Sequence, residues 1–218
     1  MFKRNYYCLI AGLPDLTIND KKLSFTSLDF REQMTDELHE DDKKVIQLLF
    51  LPFDHLNIAK AFKNKEKQTQ SRTIDNRQLI SNDEIPLFDK RGLFDQEMIA
   101  LLIDKKEIEN RALEIFPQYI RDIFEELHET DETITDTNLM IKLQTAYYQL
   151  LESHSLPFIN KYGACDRNMR NVMAALNGRK FNLPFEQSLI GEGEAVEALK
   201  KNKSRDFGLS SIIDKIDQ

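Results

Sequence analysis

The chain has 218 residues, 30 basic against 37 acidic side chains, a net charge of −7 and 41% apolar residues. That balance belongs to a soluble globular chain of one or two domains, long enough to bury roughly 70% of its unfolded surface. It excludes a disordered or membrane-spanning chain, and seven glycines with six prolines, about half the usual share, argue against a turn-rich sandwich or barrel and favour long helices.

Residues 6–11 (Tyr-Tyr-Cys-Leu-Ile-Ala) read as a short strand or a buried helical turn, closed by Gly12-Leu13-Pro14-Asp15. The stretch is too short for a signal peptide and lacks a small-residue cleavage site, so the expected compartment is the reducing cytoplasm. Cys8 and Cys165 are too few for a disulfide framework or a CxxC metal site and are expected as buried thiols. Ser27, followed by Asp29 and Glu32, reads as a helix N-cap with acids behind it. Glu40, Asp41 and Asp42 open another helix through Val45, Ile46, Leu48 and Leu49, which ends before Pro52. Residues 53–62 suggest a further short helix. No apolar residue occurs in 63–73, which is expected as a solvated linker. The resulting division is an N-terminal helical part (1–62), a polar linker (63–77) and a C-terminal helical part (78–218).

Beyond Gly92 a helix is expected from Phe94 to about Lys106; its apolar run 98–103 is far below the roughly 18 residues of a membrane span. Apolar residues at 108, 112, 115, 116, 119, 120, 123, 124 and 127 follow the rhythm of a helix with one buried face, with Pro117 breaking it near Phe116. A second amphipathic helix is expected over 138–154. A third, after Pro157, carries Met169, Val172, Met173 and Leu176 as its apolar stripe and is capped at Asn177-Gly178. Glu192, Glu194 and Glu197 precede Lys200 and Lys201, matching a helix dipole, with Glu197 and Lys201 paired at i, i+4. Without alternating strand and helix patterns, the expected class is all-α, a multi-helix bundle.

Four histidines are available for chemistry: His39, His55, His128 and His154. Glu125 and His128 form one Glu-x-x-His pair, but a di-iron bundle needs that pair twice with two further glutamates. Asp36 with His39 is the nearest second candidate, and a solvated helix end accounts for Glu125 and His128 equally well. Gly191-Glu192-Gly193 is no dinucleotide cradle, because its third glycine would fall at Val196 and the acids at 192 and 194 repel a pyrophosphate. It reads as a flexible entry to a helix. With no Walker A loop, HExxH or GxSxG elbow, no motif calls for catalysis or a cofactor.

The segment 161–180 stands apart. Lys161, Arg167, Arg170, Arg179 and Lys180 face Asp166 alone, a local charge of +4 against −11 elsewhere. Arg167, Asn168, Arg170 and Asn171 share about one helical turn. Three readings stay open: a basic face paired internally, a docking surface for an acidic partner, and nucleic-acid binding. Net acidity and the lack of interleaved aromatics weigh against the last.

Tyr6-Tyr7-Cys8-Leu9-Ile10-Ala11-Gly12-Leu13-Pro14-Asp15-Leu16 resembles the N-terminal signature of an uncharacterised bacterial family whose genes travel with V-type ATPase operons. Four further anchors follow in that family's order: Tyr147-Tyr148; Asp166-Arg167-Asn168-Met169-Arg170-Asn171 through Asn177-Gly178-Arg179-Lys180; Ile190-Gly191 through Ala195-Val196-Glu197-Ala198-Leu199; and Arg205-Asp206-Phe207-Gly208-Leu209-Ser210. Through the Asn/Arg-rich helix the family is similar to the C/d-type socket component of the rotary V/A-type ATPases. The resemblance implies a non-catalytic, cytoplasmic-side helical subunit, peripheral to the inner membrane, that couples the central stalk to the membrane rotor ring. Arg167, Asn168, Arg170, Asn171, Arg179 and Lys180 are its implied partner-docking residues. The family pattern continues past 205–210 with further helices, so the resemblance implies either a truncated form or a chain that lacks the third helical unit of the socket. The rival expectations are a helical metal-dependent enzyme using Glu125 and His128, and a generic helical adaptor.

Overall fold

The computed structural model describes residues 6–15, 17, 19, 25–73, 88–104, 111–130, 134–202 and 204. Among these every regular element is helical and no strand occurs, as the sequence pattern predicts. None of these helices is long and apolar enough to cross a membrane. The chain divides into two compact units, Met1–Ile103 and Asp104–Gln218.

The first unit holds α1 (Tyr7–Gly12), α2 (Ser27–Glu37), α3 (Glu40–Leu48), α4 (Leu51–Thr73) and α5 (Gln96–Ile103). The N-terminal apolar segment is thus helical, with Leu9 as its buried side chain. Cys8 is exposed, against expectation, because so short a helix buries only one side. The Tyr6 hydroxyl, one residue ahead of α1, donates to Asp42 Oδ2 at 2.5 Å and so ties α1 to the first turn of α3. The cap of α2 is Thr26 and not Ser27: Thr26 Oγ1 accepts the Asp29 N–H at 3.3 Å, and Asp29 Oδ2 accepts the Thr26 N–H at 2.7 Å. That reciprocal pair satisfies donors the first turn would otherwise strand. His39 caps α3, its Nδ1 accepting the Asp41 N–H at 3.4 Å.

Pro52 sits in the first turn of α4, where its missing N–H costs nothing. The expected linker 63–73 is the second half of that helix. A run rich in Lys, Glu, Gln and Arg, without Gly or Pro, sustains a helix although it carries no apolar side chain. The unit boundary accordingly falls at 103/104 and not in 63–77, of which 74–77 lie outside the described residues. α4 packs on α5, burying Leu51, Ile58 and Ala59 with Ile99, Leu102 and Ile103.

Two side chains one turn apart on α4 fasten the loop 88–94. Asn57 makes a two-way clasp with Asp89, donating from Nδ2 to its carbonyl and accepting its N–H at Oδ1, both at 2.9 Å. Fully buried Asp54 accepts the Leu93 N–H at 2.8 Å and the Phe94 N–H at 3.1 Å on Oδ1. Gly92 is required there, since a Cβ would overlap the Asp54 carboxylate.

The second unit runs through a 3₁₀ turn (Arg111–Ile115), α6 (Gln118–Thr130), α7 (Asp136–Glu152), α8 (Pro157–Phe181), a second 3₁₀ turn (Glu186–Ser188) and α9 (Glu194–Lys201). The expected interruption lies at Phe116 and Pro117; residues 108–110 are outside the described part. Ile120, Ile123, Phe124 and Leu127 form the buried face of α6, each worth roughly 1.5–3 kcal/mol by burial. Thr135 caps α7, accepting the Asn138 N–H at 3.2 Å. α7 and α8, joined by 153–156, form the most closely packed pair, with Leu139, Leu143, Tyr147 and Leu151 buried on α7. α9 completes an apolar cluster of Val196, Leu199, Ala175, Phe185 and Leu189. Its Glu197 pairs with Lys201 at 3.3 Å, as expected, and Gly191 and Gly193 enter it at φ 79° and 116°.

α8 departs from expectation at two points. It continues through Asn177 and Gly178 to Phe181 and is ended by Asn182 in the left-handed conformation, φ 54°. Its buried residues are Ile159, Gly163, Asn171, Ala175 and Gly178. Of the expected stripe Met169, Val172, Met173 and Leu176, Met169 and Met173 are exposed and the other two partly buried. Small side chains on the inner face let neighbouring groups approach closely, which a hydrophobicity pattern does not register. Cβ atoms built at Gly163 and Gly178 would stand 2.6 Å from Leu151 Cβ and Phe185 Cβ. Gly178→Ala is therefore expected to destabilise the protein by about 1–2 kcal/mol in urea titration, despite the better helix propensity of alanine, because overpacking costs more than the roughly 1 kcal/mol that propensity returns.

Candidate functional site

The six expected docking residues lie on α8, and the structure sorts them by the direction they take. Arg167 points into the unit. Its Nη1 is 3.0 Å from Glu152 Oε1 at the end of α7, its side chain is only 20% exposed, and it lies beneath Gly191, where a Cβ would come 3.0 Å from that nitrogen. Asn171 is 1% exposed and grips one peptide group pair: Nδ2 donates to the Ile190 carbonyl at 2.8 Å, and Oδ1 accepts the Ile190 N–H at 2.9 Å. Arg179 donates to the carbonyls of Asn202 and Ser204, and to that of Leu199 at 3.4 Å, so it closes the C-terminal end of α9. It also stands over the Phe185 ring at 5.7 Å. These three are struts that set the 189–204 segment on α8. Asn168, Arg170 and Lys180 are exposed.

Arg170 borders a polar cluster between α7 and α8. The Tyr148 hydroxyl donates to Asp166 Oδ2 at 2.7 Å, and the Tyr147 and Tyr148 rings meet edge to face at 5.1 Å. Burial, then the Asp166 carboxylate, pushes the Tyr148 phenol above its ordinary range, opposed by the Arg170 charge. The phenol therefore stays protonated and donates throughout physiological pH. Asp166, the one acid of α8, is thereby engaged from the inner side.

The outer side of α8 is apolar. Phe158, Met169 and Met173 are 71%, 60% and 53% exposed, with Tyr162 and Cys165 also exposed between them. Lys161, Arg170 and Lys180 accompany them, and Phe181 at the helix end and Leu183 beyond it extend the surface. A helix apolar on both faces is ordinarily covered on both, and contiguous apolar surface rimmed by charge marks interaction sites. Charge counting alone picked out Lys161, Arg170 and Lys180 and missed Phe158 and Tyr162. The signal was there in the spacing of 158, 162, 165, 169 and 173, once the opposite side is seen to be filled by Gly163, Asn171, Ala175 and Gly178.

The rival metal reading fares differently. Glu125 is exposed on α6, and the His128 ring lies against Phe124 with centroids 6.0 Å apart. The side chain of Asp36 lies outside the described residues; His39 caps α3, His55 is buried in α4, and His154 Nδ1 accepts the Leu156 N–H at 3.1 Å. Among the described residues no three His, Cys, Asp or Glu side chains gather where they could hold a metal ion.

Residues 3–218 match the model of a family described as a protein of unknown function (DUF2764). No curated protein and no solved structure matches the chain.

Proposed function

The chain belongs to the DUF2764 family, and we propose that it acts as a non-catalytic docking subunit of a V-type ATPase, similar in role to the C/d-type socket component and placed between the central stalk and the membrane rotor. The observation that carries the docking role is the outward face of α8, where Phe158, Tyr162, Met169 and Met173 are exposed beside Lys161, Arg170 and Lys180. The ATPase setting rests on the ordered sequence anchors, from 6–16 through 166–180 to 190–199. Ion translocation is performed elsewhere in the assembly. The chain's own work is mechanical, with stiff helix packing and a surface matched in shape and charge to its neighbour.

Affinity purification of the tagged full chain from its native cells tests this reading. Stalk and ring subunits are expected to co-purify. Arg170→Glu with Lys180→Glu is expected to weaken their retention about tenfold at physiological salt, as rim charges act mainly on association and salt dependence. Arg167→Glu instead strikes a strut and is expected to lower the melting temperature, which separates loss of docking from loss of fold. Recovery of the protein without any part of a rotary ATPase would defeat the assignment.

A further inference from the structure

The face of α8 that the core leaves uncovered has the spacing of one half of a coiled coil. Phe158, Tyr162, Cys165 and Met169 succeed one another by four, three and four residues, and Met173 follows one turn later. At about 100° and 1.5 Å per residue they occupy an arc of about 80° along about 22 Å of helix. The Phe158 and Tyr162 rings are stacked, 6.4 Å apart and 22° from parallel, so the N-terminal end of the seam is already ordered. A seam with this rhythm accepts the ridges of a second helix; an extended peptide would meet it at only a few side chains.

Charge decides which helix. The exposed ionised residues of α8 are Lys161, Arg170 and Lys180, whereas Asp166 is engaged by Tyr148. A second copy docked antiparallel about the middle of the seam, between Cys165 and Asp166, would set Lys161 of each copy against Arg170 of the other. Such like-charge juxtapositions suppress pairing. We infer that this face seats a single amphipathic helix of another protein, apolar at three- and four-residue spacing and flanked by Asp or Glu. This rests on the docking function proposed above and adds the partner's shape and charge.

Two synthetic 21-residue peptides serve as probes, both with leucine at the a and d positions of three heptads, one with glutamate and one with lysine at e and g. Binding to the full chain, labelled with ¹³C in its methionine methyl groups, is followed by NMR and fluorescence anisotropy. The glutamate peptide is expected to shift the Met169 and Met173 signals and to bind at least tenfold tighter than the lysine peptide at physiological salt. Met169→Glu with Met173→Glu is expected to reduce that binding at least tenfold with an unchanged melting curve, since both side chains are exposed. Equal binding of the two peptides, or binding of neither, overturns the inference. So does dimerisation that the methionine variant abolishes, which would make the occupant a second copy. Maleimide labelling of Cys165, in a Cys8→Ser background, that accelerates on removal of 205–218 overturns it in favour of the chain's own C-terminal residues. If peptide discrimination holds but no ATPase component co-purifies, the seat stands and the ATPase setting fails; the converse result removes the seat alone.

Discussion

Asn171→Leu is expected to lower the stability of the Asp104–Gln218 unit by about 3 kcal/mol, more than charge reversal at an exposed end position such as Lys180. The side chain is 1% exposed and supplies both hydrogen bonds of the Ile190 peptide groups, at 2.8 and 2.9 Å. Leucine fills a similar volume but leaves one buried N–H and one buried C=O without partners, at about 1–3 kcal/mol each. A loss of that size corresponds to roughly 10 °C in melting temperature for a unit of this length. Ile190 and Leu189 lead into the 191–193 turn above Arg167, so the clamp also fixes the entry of α9. Lys180→Glu, at an exposed position, is expected to change stability by no more than about 1 kcal/mol. Thermal melts and urea titrations of the two variants side by side test the distinction between strut and surface. An Asn171→Leu protein as stable as the parent would show that the clamp does not hold the turn.

What could be read from the sequence was local. Pro117 announced its own break, because a missing N–H and a fixed φ act on neighbouring residues alone. The Glu197–Lys201 pair and the glycines at 191 and 193 followed from dipole and turn chemistry within a few residues. The linker at 63–73 failed for a related reason: absence of apolar residues says that a segment buries little, not that it lacks helical hydrogen bonds. The cap at Asn177-Gly178 failed because Gly178 answers a contact with Phe185, which no helix-end rule contains. Cys165 and the stripe of Met169 and Met173 were expected inward on the rule that apolar faces meet the core. On α8 that rule reverses, since Gly163, Ala175 and Gly178 achieve close approach and leave the larger side chains outside. The basic segment was legible as charge. Which of its residues are struts was not, because Glu152, Ile190 and Ser204 stand 15 to 25 residues from the side chains that hold them.

Asp54 should make the Met1–Ile103 unit lose stability as pH rises. Its carboxyl is fully buried, and burial pushes its pKa up from 3.8 to about 6, against the opposing pull of the Leu93 and Phe94 N–H groups and the Arg31 charge. The native state therefore keeps its proton over a range in which the unfolded chain has released one. Stability from this group is fully present below about pH 4, declines through pH 4–6 and is gone above that, an effect of about 3 kcal/mol at most. Most carboxylates of folded proteins act in the opposite direction, so the Asp54 contribution is separated by subtraction. Asp54→Asn retains an oxygen to accept both backbone N–H groups but cannot titrate. The stability difference between parent and variant, from urea titrations at pH 4, 5, 6 and 7, is expected to shift in the variant's favour by about 2–3 kcal/mol across that range and then level off. Asp54→Leu provides the contrast: with no acceptor for Leu93 and Phe94 it is expected to be about 3 kcal/mol less stable than Asp54→Asn at every pH. A parent-minus-Asn difference that stays flat with pH would mean that the carboxylate is as well solvated by its three hydrogen bonds as by water. The loop 88–94 would then be held by fixed charge and not by a protonatable latch.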